Sequence, residues 1–179
     1  TVTEFEPTTF NMKDGEYNFE PIETYGYSFN SLNGQAIHGS WYDTTNQTPT
    51  IAGTAISMLC NSGSGNGITK VNNKEFKVQY GGTYNLQFSA QLDQTSGSGH
   101  HIFIWFRKNG VDIPYSASEV AIQGSLSEAI PSWNFIVDLV DDDYVEVMYS
   151  VTDTRVFLKS VAPNSIPGIP SVIITMWKL

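Results

Sequence analysis

This sequence predicts an antiparallel all-β domain, and three observations carry the prediction. Apolar residues recur at every second position over several successive runs. Glycine-rich tracts and an Asn-Gly pair separate those runs. No stretch repeats its apolar residues with the 3.6 period of a helix. The expectation is roughly eight to ten short strands in a sandwich, jelly roll or barrel.

The elements follow in chain order. The apolar run Ala55 to Cys60 is core, and its Cys60, the single cysteine, serves there as a small hydrophobe. Phe76, Val78 and Tyr80 alternate with Glu75, Lys77 and Gln79, and Gly81-Gly82 closes that run. The clearest strand follows: Tyr84, Leu86, Phe88, Ala90 and Leu92 alternate with Thr83, Asn85, Gln87, Ser89 and Gln91. Asn109-Gly110 marks a hairpin after the next run. Trp133, Phe135, Val137 and Leu139 share one face, and Asp141-Asp142-Asp143 breaks their run. Val145, Val147, Tyr149 and Val151 come next, then Val156 and Leu158.

Two runs are apolar on both faces. Ile102, Ile104 and Phe106 alternate with Phe103 and Trp105; Val172, Ile174 and Met176 alternate with Ile173 and Trp177. An antiparallel strand normally keeps one wet face, so a second cover is expected here. A loop, the N-terminal segment or a neighbouring subunit would supply it. Phe103, Trp105, Ile173 and Trp177 are the expected subunit-interface residues, since aromatics are enriched and charges depleted at such contacts.

Composition bounds the partners. Only 15% of residues are charged and the net charge is −9. Ser, Thr, Asn and Gln number 54 against 27 charged residues, so the surface is mostly neutral and polar. A phosphate-tracking nucleic-acid binder needs clustered Lys and Arg and is not expected. No apolar run approaches the roughly 20 residues of a spanning helix, so no membrane partner is expected. With 40% hydrophobic and 13% aromatic residues, the chain has ample material to bury. Thr1-Val2-Thr3-Glu4 offers neither the basic nor the apolar region of a secretory leader.

The charge is uneven. Residues 1–36 hold six acids against the single base Lys13, a net −5, and the other 143 residues carry −4. The same stretch carries Phe5, Phe10, Tyr17, Phe19, Tyr25, Tyr27 and Phe29, read as lacking either period. It is expected to be an irregular, acidic arm preceding a β domain of residues 37–179, its rings buried on that domain or on a partner.

A resemblance narrows the fold. Gly82-Thr83-Tyr84-Asn85-Leu86-Gln87-Phe88-Ser89-Ala90-Gln91-Leu92, then Ile104-Trp105-Phe106-Arg107-Lys108-Asn109-Gly110-Val111-Asp112-Ile113-Pro114, resemble a family of tailed-bacteriophage virion proteins, especially of cyanophage type. So do Ser132-Trp133-Asn134-Phe135, Asp143-Tyr144-Val145-Glu146, Ile169-Pro170-Ser171-Val172-Ile173-Ile174-Thr175 and Gly39-Ser40-Trp41-Tyr42-Asp43-Thr44. The resemblance covers about residues 39–178. It implies a jelly-roll β-sandwich similar to the tumour-necrosis-factor and complement globular-head folds, usually trimeric. Where the family often has Gly-Asp before the Tyr144 strand, this chain has Asp142-Asp143.

Catalytic patterns are weak. His100 and His101 are adjacent, so an extended chain sends them to opposite faces and no zinc site is expected. Asp141-Asp142-Asp143 is rich in oxygen but lacks the spacing of a calcium loop. No Gly-x-Ser-x-Gly elbow occurs, and the Gly-Ser tracts at 62–65 and 96–99 precede no helix. No enzyme activity and no cofactor are expected. The expected function is a structural protein of the virion exterior: a homotrimeric capsid decoration (cement) protein or head fibre. Its arm would dock on the major capsid protein or another virion protein. The alternative is the receptor-binding tip of a tail fibre or spike. Loops 93–101 and 123–131 would then grip a host glycan, with Trp41 or Tyr115 as a stacking platform.

Overall fold

The computed structural model describes residues 36–124 and 127–179 in full; within the first 35 residues it describes the backbone of strand segments. There β1 (Thr9–Lys13) pairs antiparallel with β2 (Glu16–Glu20), and β3 (Ser31–Leu32) with β4 (Gln35–Ala36). The β1–β2 register sets Phe10 opposite Phe19 and Met12 opposite Tyr17. Asn11 stands opposite Asn18, and Lys13 opposite Glu16. The stretch expected to have no period therefore contains a ladder of period two. Its sequence signals are Asp14-Gly15 and Asn33-Gly34, dipeptides that favour two-residue hairpin loops.

Fourteen strand segments follow. They are β5 (His38–Asp43), β6 (Ile56–Ser57), β7 (Ser62–Asn66), β8 (Ile68–Val71), β9 (Glu75–Val78), β10 (Gly82–Ala90) and β11 (Leu92–Gln94), then β12 (His100–Lys108), β13 (Val111–Asp112), β14 (Ser118–Ile122), β15 (Ser132–Leu139), β16 (Tyr144–Val151), β17 (Val156–Leu158) and β18 (Val172–Lys178). The count exceeds the expected eight to ten because turns divide the edges into pieces of two to five residues.

These strands build an antiparallel β-sandwich. One sheet, here sheet I, has the order β15-β10-β18-β5-β7. The other, sheet II, runs β13-β12-β16-β9-β8, with β14 beside β12 and β6 beside β16. The chain crosses between layers repeatedly, and the first and last strands of the sandwich, β5 and β18, lie side by side.

The core forms where the inner faces meet. Sheet I supplies Trp41, Tyr84, Leu86, Phe88, Ile174 and Met176; sheet II supplies Phe76, Ile102, Ile104, Phe106, Val147 and Tyr149. Trp41 meets Phe76 across the layers with ring centroids 4.7 Å apart, and Phe88 meets Phe106 at 6.0 Å. Each such ring, fully buried, contributes about 1.5–3 kcal/mol or more. Cys60 is buried as expected. Two turns show why their residues are there. Asn109 and Gly110 have φ of 48° and 79°, the left-handed pair that an Asn-Gly hairpin supplies at low cost. Gly39 lies under the Trp41 indole, where a Cβ would stand 2.0 Å from the ring.

Candidate functional site

The two outer faces of the sandwich differ in chemistry. On sheet I the register aligns three rows of five residues. The first runs Asn66, His38, Trp177, Asn85, Ile136, and the second Ser64, Ser40, Thr175, Gln87, Asn134. The third runs Ser62, Tyr42, Ile173, Ser89, Ser132. None of these fifteen positions holds Lys, Arg, Asp or Glu. Their apolar members are Tyr42 and Ile173, each 40% exposed, Ile136 at 56%, and half-buried Trp177. The pattern follows from β10, whose outward residues there are Asn, Gln and Ser, and from β7, whose Ser-Gly-Ser-Gly-Asn sequence leaves two hydroxyls and an amide outside.

Sheet II turns charge outward and pairs it locally. Half-buried Trp105 donates its indole N–H to Asp112 Oδ1 (2.8 Å), which also accepts from Arg107 Nε at 2.7 Å. These two bonds, Arg107's first, hold the Asp112 carboxyl below its ordinary range. Glu146 is only 3% exposed, accepts from Ser57 Oγ at 2.8 Å and lies 3.2 Å from Lys74 Nζ. His101 Nδ1 lies 2.7 Å from Glu119, and Lys77 pairs with Asp142 at 2.9 Å.

The four expected interface residues therefore divide between opposite faces. Ile173 and Trp177 belong to the uncharged rows of sheet I; Phe103 and Trp105 stand among the ion pairs of sheet II, both half-buried. Of the arm residues, Phe10, Tyr17 and Phe19 occupy β1 and β2, while Phe5, Tyr25, Tyr27 and Phe29 lie outside the described residues.

Trp41 is corrected as a stacking platform: it is 1% exposed and fills the core against Phe76. Its own sequence neighbourhood does not show this, because the room for an inward indole comes from Gly39 together with Gly65 on the neighbouring strand. Tyr115 is fully exposed, at a left-handed φ of 60°. Loops 93–101 and 123–131 do meet: Gln94 Nε2 donates to the carbonyls of Gly97, at 3.1 Å, and of Gly124.

The three consecutive aspartates have separate partners. Asp141 Oδ1 accepts from the Gly81 amide at 2.6 Å, Asp142 pairs with Lys77, and Asp143 accepts from Asn109 Nδ2 (2.6 Å), Val140 N (2.8 Å) and Lys108 (2.8 Å). Burial raises the Asp143 pKa, but those donors outweigh it and the net shift is downward. Among the described residues no group of three or more His, Cys, Asp or Glu is placed to hold a metal ion. Burial pushes the Cys60 thiol up to about 12, so it is a poor nucleophile.

One concavity adjoins the uncharged rows of sheet I. Tyr42, Thr44, the segment Ser160–Pro163 and the segment Gly168–Pro170 enclose about 350 Å³ without a charged side chain. Val161 and Ile169 hold its rim through paired backbone hydrogen bonds of 2.8 Å. Its lining was not legible in the sequence, since Tyr42 and the Pro-rich segment lie more than a hundred residues apart. No protein-family model and no curated protein matches this chain.

Proposed function

We propose that this chain is a non-enzymatic structural protein of a tailed-phage virion, a homotrimer that decorates the capsid exterior. The observation that carries the assembly part is the set of three neutral rows on the outer face of sheet I. A five-stranded face with Tyr42, Ile136, Ile173 and Trp177, whose one charged strand position among the described residues is Asp138 at the β15 edge, is suited to burial against protein, where charges are depleted. The paired charges of sheet II suit water. In this reading Ile173 and Trp177 keep their interface role, while Phe103 and Trp105 cover their own sheet.

A ring of three needs two different patches whose outward directions are inclined, since patches on opposite faces stack into an open filament. The open side of the sandwich supplies the second patch. There β14 and β15 leave Val120, Trp133 and Phe135 half-buried beside exposed Ile136. The sheet order, with β5 beside β18, supports reading the sandwich as a jelly roll.

The arm supports the docking part. Its acidity is separate from the body's, and its β1–β2 ladder aligns Phe10, Met12, Tyr17 and Phe19 at alternate positions. A two-stranded hairpin is marginal alone and gains stability by laying an apolar face on something larger. Deletion of residues 1–36 leaves buried Ile37 and β5 intact. The truncated chain is expected to remain a folded trimer by light scattering and to lose capsid binding in co-sedimentation. Copy number tests the location. Hundreds per virion by gel densitometry are expected; a few tens at most would transfer the protein to the tail, as a receptor-binding tip. Fully exposed Tyr115 is the one feature that favours a glycan-gripping tip.

A further inference from the structure

The first uncharged row of sheet I ends on Asn66, and the next residue in the chain is Gly67. In an Asn-Gly pair the backbone amide reaches the preceding side chain with least hindrance, because glycine has no Cβ and turns freely. Two such pairs lie in the described body, Asn66-Gly67 and Asn109-Gly110; Asn33-Gly34 belongs to the arm, outside the described residues. In both body pairs the glycine N–H, which must become the nucleophile, donates to no acceptor among the described residues. The side chains differ. Asn109 is exposed but held at both ends: its Nδ2 donates to Asp143 Oδ1 at 2.6 Å, and its Oδ1 accepts from Tyr144 N at 2.9 Å. Asn66 is half-buried on the edge strand β7, yet only its Nδ2 is engaged, on Ala36 O at 3.0 Å. His38 Nδ1 donates to the same carbonyl at 2.9 Å, so that oxygen keeps a donor when Asn66 turns away.

We propose that Asn66 is a deamidation site of the folded protein and that Asn109, despite its exposure, is not. Gly67 N attacks Asn66 Cγ; the Nδ2 group takes up the amide proton and leaves as ammonia, and a cyclic imide remains. Water opens the imide at either carbonyl, giving aspartate or isoaspartate at position 66. The sum is one water consumed and one ammonia released, with no oxidant or cofactor. The product sets a carboxylate in rows that hold no charge, opposite His38 and against Ala36 O, where the arm joins the body. Those rows contain no Lys or Arg to pair with it. The site stands independently of the trimeric reading. Its effect on assembly rests on that reading, since a buried contact disfavours an unpaired charge.

The test is peptide mapping by mass spectrometry of the full chain aged in warm, mildly alkaline buffer, with isoaspartate separated by chromatography. The Asn66 peptide is expected to convert about tenfold or more faster than the Asn109 peptide, because two bonds, one of them to a carboxylate, must open at Asn109 against one at Asn66. In the chain unfolded by urea the two are expected to convert alike. Asp143→Ala, which releases Asn109 Nδ2, is expected to speed conversion at 109 and leave that at 66 as it was. Equal rates in the folded chain overturn the site, and so does an Asn66 that converts only in urea. For assembly, Asn66→Asp places the product directly and is expected to weaken the trimer about tenfold in light-scattering dilution. If Ile173→Asp dissociates the trimer and Asn66→Asp does not, the assembly effect falls alone. A wild type monomeric at all concentrations removes the trimeric reading and the assembly effect with it, while the mass data decide the site.

Discussion

The outer faces of the two sheets share one core and one strand architecture, yet they solve the same problem differently. On sheet II, large side chains on the outer face are covered from within: Trp105 lies half-buried with its N–H on Asp112, and Met148 is 1% exposed beside Ser57. Charges there pair across neighbouring strands, as Arg107 does with Asp112. On sheet I, Tyr42, Ile173 and Ile136 stay open among hydroxyls and amides, and the outward charge on its strands is confined to Asp138 at the β15 edge, which accepts from Thr83. The difference teaches that two apolar-faced strands of nearly equal appearance, β12 and β18, need not do the same work. Their neighbours in the sheet decide it. The β12 strand has β13 and β14 beside it with Asp112 and Glu119, whereas β18 lies between β5 and β10, whose outward residues are neutral.

Substitutions can break or sharpen this contrast. The largest effect is expected beneath both faces: Trp41→Ala removes the indole on Phe76 and should cost about 3–5 kcal/mol in urea unfolding, taking both sheets together. Asp143→Ala frees Lys108, Asn109 and the Val140 amide at one end of sheet II, and should cost about 1–3 kcal/mol without altering assembly.

The same carboxylate sets an acid limit. Its pKa, like that of Asp112, is lower folded than the ordinary 3.8. The stabilisation is therefore complete above that value and is lost as pH falls through the folded pKa. The urea midpoint should drop below about pH 4, and less so in the Asp143→Ala variant.

Trp105→Phe keeps the ring and loses the bond to Asp112; a loss of about 0.5–1.5 kcal/mol with an unchanged trimer is expected. A monomer would return Trp105 to the interface. Ile173→Asp, on the open face, should change stability by no more than about 0.5 kcal/mol while dissociating the trimer in light scattering. An intact trimer would move the contact off sheet I.

Much of the fold was legible because the side-chain period of a strand is a local property. Every inward residue expected on β10, β15 and β16 is inward, though Trp133 and Phe135 are only half-buried at the sheet edge. The Asn109-Gly110 turn was equally local. The arm's ladder is local too: its aromatics show no period as a set, and the signal for it is Asp14-Gly15 in the sequence between the two runs. Trp41 could not be placed from its own neighbourhood, because its inward position depends on Gly65 across the ladder and Phe76 across the core. The pocket was equally hidden, since residues 42–44 and 160–170 meet only after β5 and β18 pair.

By itself, then, the sequence determined the main alternating strands and their buried sides, the all-β class and the acidic character of the first 36 residues, since each is written in spacing or composition over a few residues; the Gly-Ser tract expected to separate strands is itself strand β7. Only the tertiary structure decided which strands became neighbours. That choice set which outward rows are neutral and which pair their charges, for cross-strand contacts join residues that the chain keeps far apart.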